Sequence, residues 1–331
     1  MTTYLSGIQS TGRPHLGNYV GAIRQHIALQ EEGGECFYFI ADLHAMTTSR
    51  DPDELRANVR ETAVTYLALG LDPAKAVLFR QSDVPEVCEL TWLLACVSGM
   101  GLLERAHSFK DKVARGIEPT VGLFTYPILM AADILAYDSN VVPVGQDQVQ
   151  HVEMARDMAG YFNHAFGADG EGVFVVPEPR IPPSELLARV PGIDGQKMSK
   201  SYGNSIWVFE SGKPLKKLVG SIVTDSRPPE EPKDPPGVLL LDFLALFLAE
   251  EELADWRERV RRGGPGAPGY GHLKARLLEA FEATFAPARA RRSELLADPA
   301  EVDRILARGA EKARERAGAT VDRAYRACGL R

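Results

Sequence analysis

The first half of the chain alternates short apolar runs with longer amphipathic stretches, and this constrains the fold more than any other feature. Strands covered by helices on both faces read as short, nearly continuous apolar runs, and parallel neighbours need a helix-length crossover between them. Residues 4–8, 36–41, 76–79, 141–144 and 173–176 fit such strands. Between the second and third, Asp51 can cap a helix, Pro52 suits its first turn, Glu54 has capping-box spacing and Gly70 lies past its end. The pattern predicts an α/β fold with a doubly wound parallel sheet. Ligands then bind beyond the carboxyl ends of the strands, in the loops after Ile8, Ala41 and Val144.

Past Ser205 the character turns helical, with two breaks: residues 227–236 carry five prolines and residues 263–271 five glycines. The first break reads as a hinge, a lid or a plain surface loop. Asp298, Pro299 and Glu301 start another helix, expected to run to about Ala317. The expected organisation is a sheet-and-helix domain over 1–205 and a helical domain over 206–331. The 331 residues carry a net charge of -7, yet from His272 onward 13 Lys+Arg face 9 Asp+Glu, a local +4 that leaves -11 for the rest. A basic end on an acidic chain suits either a phosphate-facing surface or a solvated helical face. The four cysteines form no CxxC pair, and three sit among apolar neighbours that suit buried thiols rather than a metal site. With no apolar run near the roughly 20 residues that span a bilayer and no basic opening stretch, a cytoplasmic protein without a membrane partner is expected.

Two segments carry chemistry. Gln9-Ser10-Thr11-Gly12-Arg13-Pro14-His15-Leu16-Gly17-Asn18 follows the first strand and opens a helix expected from about Asn18 to Glu32. Backbone N–H groups at a helix start attract anions, Gly17 permits close approach of a ligand to the backbone, and His15 and Asn18 add donors. An ordinary strand-to-helix turn would carry the same glycines. Further on, Gly195-Gln196-Lys197-Met198-Ser199-Lys200-Ser201-Tyr202-Gly203-Asn204 places two lysines and two hydroxyls in a loop flanked by glycine. Two ammonium groups can neutralise charge developing on the β- and γ-phosphates of ATP while its α-phosphorus is attacked. A flexible basic surface loop is the alternative; the two elements in this order favour the phosphate reading.

His15-Leu16-Gly17-Asn18 resembles the HIGH signature of the class I aminoacyl-tRNA synthetases, and Lys197-Met198-Ser199-Lys200-Ser201 matches their KMSKS signature letter for letter. Thr125-Tyr126-Pro127 with Met130-Ala131-Ala132-Asp133, Val142-Pro143-Val144-Gly145 with Asp147-Gln148, Thr224-Asp225-Ser226, Gly269-Tyr270-Gly271 and Gly309-Ala310-Glu311-Lys312-Ala313 are similar to the bacterial tryptophan-specific branch. The resemblance covers essentially the whole chain and implies a Rossmann-like catalytic domain over 1–205, with a helical dimer-interface insertion at about 86–138, and a helical tRNA anticodon-binding domain over 206–331. It further implies a homodimer, partners L-tryptophan and tRNA(Trp), and ATP with its Mg²⁺ as cofactor.

Position by position, it implies that ATP is surrounded by Gln9, Ser10, Thr11, Gly17, Asn18, Gly145, Gln146, Asp147, Val190, Lys197, Met198, Ser199, Lys200 and Ser201. Lys197, Lys200, Asn18 and Gln9 would be catalytic, and no metal is expected on protein ligands. Asp133 would accept the indole N–H, Tyr126 and Gln148 hold the substrate ammonium with Gln9 close by, and Met130, Val142 and Val144 either wall the ring or simply fill the core. Lys110 and Lys112 fall on a basic segment that would meet pyrophosphate or solvent. His44 is either near the substrate or a hydrogen-bonded structural histidine. Gln146 and the Ser10-Thr11 pair depart from the family pattern. A tyrosine-specific relative shares fold and chemistry, and a paralogue turned regulator shares the sequence marks.

Overall fold

The computed structural model describes residues 1–10, 12–106, 109–110, 114, 116–168, 172–181 and 190–331. Thr11 and Lys112, both singled out above, lie outside the described residues. Five strands, β1 (Thr3–Ile8), β2 (Glu35–Ile40), β3 (Ala76–Arg80), β4 (Val141–Pro143) and β5 (Glu178–Arg180), form one parallel sheet in the order β3-β2-β1-β4-β5. The order reverses between β1 and β4, where such a sheet opens a crevice at its carboxyl ends. Only Tyr4 and Val141 pair in register across that junction, and beyond them Ser6 Oγ donates to the Pro143 carbonyl oxygen at 3.2 Å.

Four of the five expected strands form where the apolar runs lie; the fifth does not. Residues 173–176 are irregular, and the last strand comes later, at β5. The Asn163 side chain supplies what a strand neighbour would: its Oδ1 accepts from Phe174 N at 2.8 Å and its Nδ2 donates to the Phe174 carbonyl at 2.9 Å. Val173 and Phe174 are thereby buried without joining the sheet, while Val175 and Val176 face solvent.

The chain divides into two compact units, residues 1–12 with 26–182 and 295–331, and residues 13–25 with 183–294. Against the single boundary expected at 205, the last helix groups with the sheet, and the His15 turn groups with the loop around Lys197 and the helices up to 294.

In the sheet unit, Phe37, Phe39 and Phe79 pack with Tyr137 under the helices Glu86–Val97, Val121–Leu135 and Pro299–Ala327. Helix Pro52–Ala68 starts as expected, with Asp51 Oδ1 accepting from the N–H groups of Asp53 and Glu54 at 2.8 and 3.1 Å. Such a cap stabilises a helix by about 1 kcal/mol. Asp298 caps the last helix, which runs to Ala327 rather than to Ala317. Small residues carry it past the expected end: Ala310, Ala313, Ala317, Val321 and Ala324 repeat at helical spacing and are buried against the sheet. At Gly309 the approach is closest, since a Cβ there would lie 2.0 Å from the Leu78 carbonyl oxygen. The cysteines depart from expectation, because only Cys36 is buried. Helix Glu86–Val97 turns Val87, Leu90, Leu93 and Leu94 inward, which leaves Cys88, Trp92 and Cys96, four apart, exposed.

In the second unit, Leu240, Phe243, Leu253, Leu277, Phe281 and Phe285 are buried, with Tyr19 edge-on to Phe285 at 4.9 Å. The two breaks interlock rather than hang free. Gly264 N donates to the Glu230 carbonyl at 2.8 Å and Lys233 N to the Val260 carbonyl at 3.1 Å. The buried Lys233 ammonium donates to the carbonyls of Pro228 and Glu231 and lies 5.6 Å from the centre of the Tyr270 ring. Tyr270 in turn donates to Asp225 at 2.6 Å; the Arg227 guanidinium first, and this hydroxyl second, hold the Asp225 carboxyl down at about 2. The proline-rich break is therefore a pinned loop. Among the described residues no helix is long and apolar enough to cross a membrane.

Candidate active site

In the sheet unit the chemistry gathers at the carboxyl ends of the strands. Helix Val121–Leu135 delivers Asp133, which is buried. The Gln81 Nε2 amide, just past β3, donates to both its oxygens at 2.9 and 2.7 Å, and His44 Nε2, past β2, lies 2.9 Å from Oδ2. Burial pushes the Asp133 carboxyl above the usual range, and the His44 and Gln81 bonds only partly offset this. A carboxylate offers about four acceptor sites. Three are engaged, so Asp133 can take one more donor. Gln81 is fixed in turn by its own Oε1, which accepts from His44 N at 3.3 Å. Tyr126 Oη stands 2.8 Å from the buried His151 Nε2, and its ring is edge-on to His44.

The sequence named Asp133, Tyr126 and His44; it missed Gln81 and His151. Gln81 follows a strand end and could have been found by extending the carboxyl-end rule to the loop after β3. His44 is hydrogen-bonded, and its bond is to Asp133 itself. Val142 is buried in the core, while Met130 and Val144 are partly buried against it.

Gln9 is exposed at the end of β1, and Ser10 is buried with its Oγ lacking a partner among the described residues. After β4, Gly145 leads into a short turn at Gln146–Gln148. A Cβ at Gly145 would fall 2.8 Å from Asp147 Oδ1, so a side chain there would turn the exposed carboxylate from its present position, and Gln148 Nε2 donates to Asp147 Oδ2 at 2.9 Å. Asp147 and Gln146 are exposed, as is Lys110. A cavity of about 540 Å³ lies at the opposite, amino-end side of β2 and β3, lined by Lys75, Lys312 and Arg316 among others, and contains none of the expected site residues.

In the second unit the four residues His15 to Asn18 form a reciprocal cap. His15 Nδ1 accepts from Asn18 N at 3.2 Å while Asn18 Oδ1 accepts from His15 N at 3.1 Å. With Nδ1 an acceptor, the imidazole proton sits on Nε2. Burial, with a smaller effect of nearby Lys200, lowers the His15 pKa to about 4, so the ring is neutral and donates through Nε2. The helix start itself is not the anion nest expected from the sequence. Leu16 N donates to the Ile206 carbonyl at 2.8 Å, Gly17 N to Met198 Sδ at 3.4 Å and Tyr19 N to the His15 carbonyl at 3.2 Å. These N–H groups are engaged within the fold, and the His15 Nε2–H and the Asn18 side-chain amide are the donors this turn has left to offer. The helix also does not run unbroken from Asn18 to Glu32: a π turn over Tyr19–Ile23 interrupts it, and it ends at Leu29.

The Lys197 loop is buckled by Asn204, another residue the sequence assigned no role. Its buried amide accepts from Ser199 N at 2.8 Å and donates to Asp194 Oδ1 at 2.8 Å and to the Lys197 carbonyl at 3.1 Å. Met198 is buried and its N–H donates to the carbonyl of buried Val190 at 3.0 Å, whereas Lys197, Lys200 and Ser201 are exposed. Gly195 and Gly203 flank the loop at φ of +79° and +65°, conformations that side chains resist.

Residues 1–286 match the family model described as tRNA synthetases class I (W and Y). The chain is 57% identical over 327 residues, 99% of each chain, to a protein of Rhodopirellula baltica named tryptophan–tRNA ligase. It superposes with a TM-score of 0.88 on a tryptophanyl-tRNA synthetase from Campylobacter jejuni complexed with ADP and tryptophan, at 47% identity, covering 99% of this chain and 100% of that one. A tryptophanyl-tRNA synthetase from Mycoplasma pneumoniae gives a TM-score of 0.80 at 31% identity, covering 100% and 98%.

Proposed function

Because the chain belongs to the class I tRNA synthetases of the tryptophan and tyrosine group, we infer that it activates L-tryptophan with ATP and transfers it to tRNA(Trp). A tryptophan carboxylate oxygen attacks the α-phosphorus in line with the departing pyrophosphate. A hydroxyl of the terminal ribose of the tRNA then attacks the carbonyl carbon of the adenylate, and AMP leaves. No protein nucleophile takes part, so rate comes from positioning and from charge neutralisation.

The observation that carries this reading is Asp133, a buried carboxylate held by Gln81 and His44 with capacity for one more donor. That capacity fits the indole N–H. Tyr126 and Gln148 are assigned to the ammonium, and Gln9, Ser10, Gly145 and Asp147 to the nucleotide, with Asp147 on the ribose. Lys197, Lys200, the His15 Nε2–H and the Asn18 amide are assigned to the phosphates. Mg²⁺ enters with ATP as part of the substrate. We further assign anticodon recognition to the helical segments after 205, and a homodimer interface to the region 86–138, where Trp92, Met100 and Val121 are exposed.

The test is ATP–pyrophosphate exchange. Lys197→Ala should slow tryptophan-dependent exchange about 100-fold or more, the scale of losing one preorganised charge-stabilising donor, with tryptophan affinity nearly intact. Exchange at the wild-type rate would overturn the role given to the loop, and exchange driven by tyrosine instead would overturn the choice of amino acid.

A further inference from the structure

Trp207 lies on the segment that pairs antiparallel with the His15 turn: Leu16 N donates to the Ile206 carbonyl and Val208 N to the Pro14 carbonyl, on either side of the His15–Trp207 bridge. Its indole is thus carried by backbone, with the His15 ring 6.4 Å away. Two cations lie against it, the Arg13 guanidinium 5.1 Å and the Lys200 ammonium 5.8 Å from the ring centroid. Arg13 is ion-paired with Glu210 at 2.8 Å, while Lys200 belongs to the loop between Gly195 and Gly203.

We propose that Trp207 is a positioning residue for adenylate formation, its π face holding the Lys200 ammonium beside the His15 turn in readiness for the triphosphate. The proposal rests on the reading of Lys200 as a phosphate-neutralising group. A lysine stem is long and flexible, and its charge is useful only where it is held. The face of a tryptophan is the strongest aromatic platform for a cation, yet at a half-exposed position it is weak enough for phosphate oxygens to outcompete. Trp207 therefore narrows the places Lys200 occupies without locking it away.

The test compares Trp207→Leu, Trp207→Phe, Lys200→Ala and the double variant Lys200→Ala/Trp207→Leu by ATP–pyrophosphate exchange. Trp207→Leu should lower kcat/KM for ATP about two- to fivefold, with KM for tryptophan unchanged and Trp207→Phe falling between. Added to Lys200→Ala, it should cost nothing more, because the other cation on the ring, the Arg13 guanidinium, is held by Glu210 and does not depend on the indole for its place. In a protein with Trp92 and Trp256 changed to Phe, incorporating tryptophans of increasing fluorine content at 207 should lower kcat/KM for ATP stepwise at constant shape, which covers the case of Trp207→Leu failing to fold. A flat fluorination series, or a full Trp207→Leu loss persisting in the Lys200→Ala background, overturns the proposal alone. Undiminished exchange by Lys200→Ala overturns the phosphate role of Lys200 and the proposal with it.

Discussion

An ionised carboxylate as deeply buried as Asp133 costs stability, and the sign follows from its raised pKa. A group whose folded pKa lies above its unfolded value contributes most to stability at low pH and loses that contribution as pH rises through the folded value. At neutral pH the fold therefore carries Asp133 as a burden, which suits a residue retained for its substrate. Asp133→Asn would turn an amide N–H₂ toward donors on Gln81 and His44, and the indole would lose a charged acceptor. KM for tryptophan should rise roughly 10- to 100-fold, measured by tryptophan-dependent exchange; an unchanged KM would remove Asp133 from this role. In the wild type, the same KM should begin to climb on acidification at a pH above the ordinary carboxylate value of about 4. Asp133 was legible because its Met-Ala-Ala context marks it. Gln81 was not, since its partner Asp133 lies 52 residues away, and neither were Asn204 and Trp207, whose partners are near in sequence but are met only through the folded shape of their loop.

At the scale of elements, Gly309 is where the last helix meets the sheet. Gly309→Ala should destabilise the protein by about 1–3 kcal/mol, as overpacking a close contact does, read as a fall in the urea midpoint at constant slope. Gly318, on the same helix and with nothing within 4 Å of where its Cβ would lie, is the control: Gly318→Ala should be neutral or stabilise by up to about 1 kcal/mol. Equal effects at the two sites would contradict the contact. Caps and strands were readable here because their causes are local: Asp51 and Asp298 sit where their own helices need an acceptor. The failure at 173–176 has the opposite origin. An apolar run predicts burial, and Val173 and Phe174 are buried, but the Asn163 side chain satisfies the backbone that a sheet would otherwise have claimed.

For the whole molecule, the exposed column Cys88, Trp92 and Cys96 is the feature that asks for a partner, since Trp92 is 71% exposed. If a second copy covers it, the wild type should sediment as a dimer at micromolar concentration and Trp92→Glu as a monomer with reduced exchange activity; a monomeric wild type would end the assignment. The basic end is less available to RNA than its charge suggests, because Arg276, Arg291, Arg304 and Arg323 each have a carboxylate neighbour of their own. It is also shared between the two units, residues 272–294 in one and 295–331 in the other. Because the helix Pro299–Ala327 covers β3 from a point more than two hundred residues later in the chain, a ribosome must release that helix before β3 can be covered. A prematurely terminated chain would leave Leu78 and its neighbours bare to water and to proteases. The machinery that supplies one amino acid to translation thus becomes competent only after the ribosome has made a helix that carries none of the residues assigned to its chemistry.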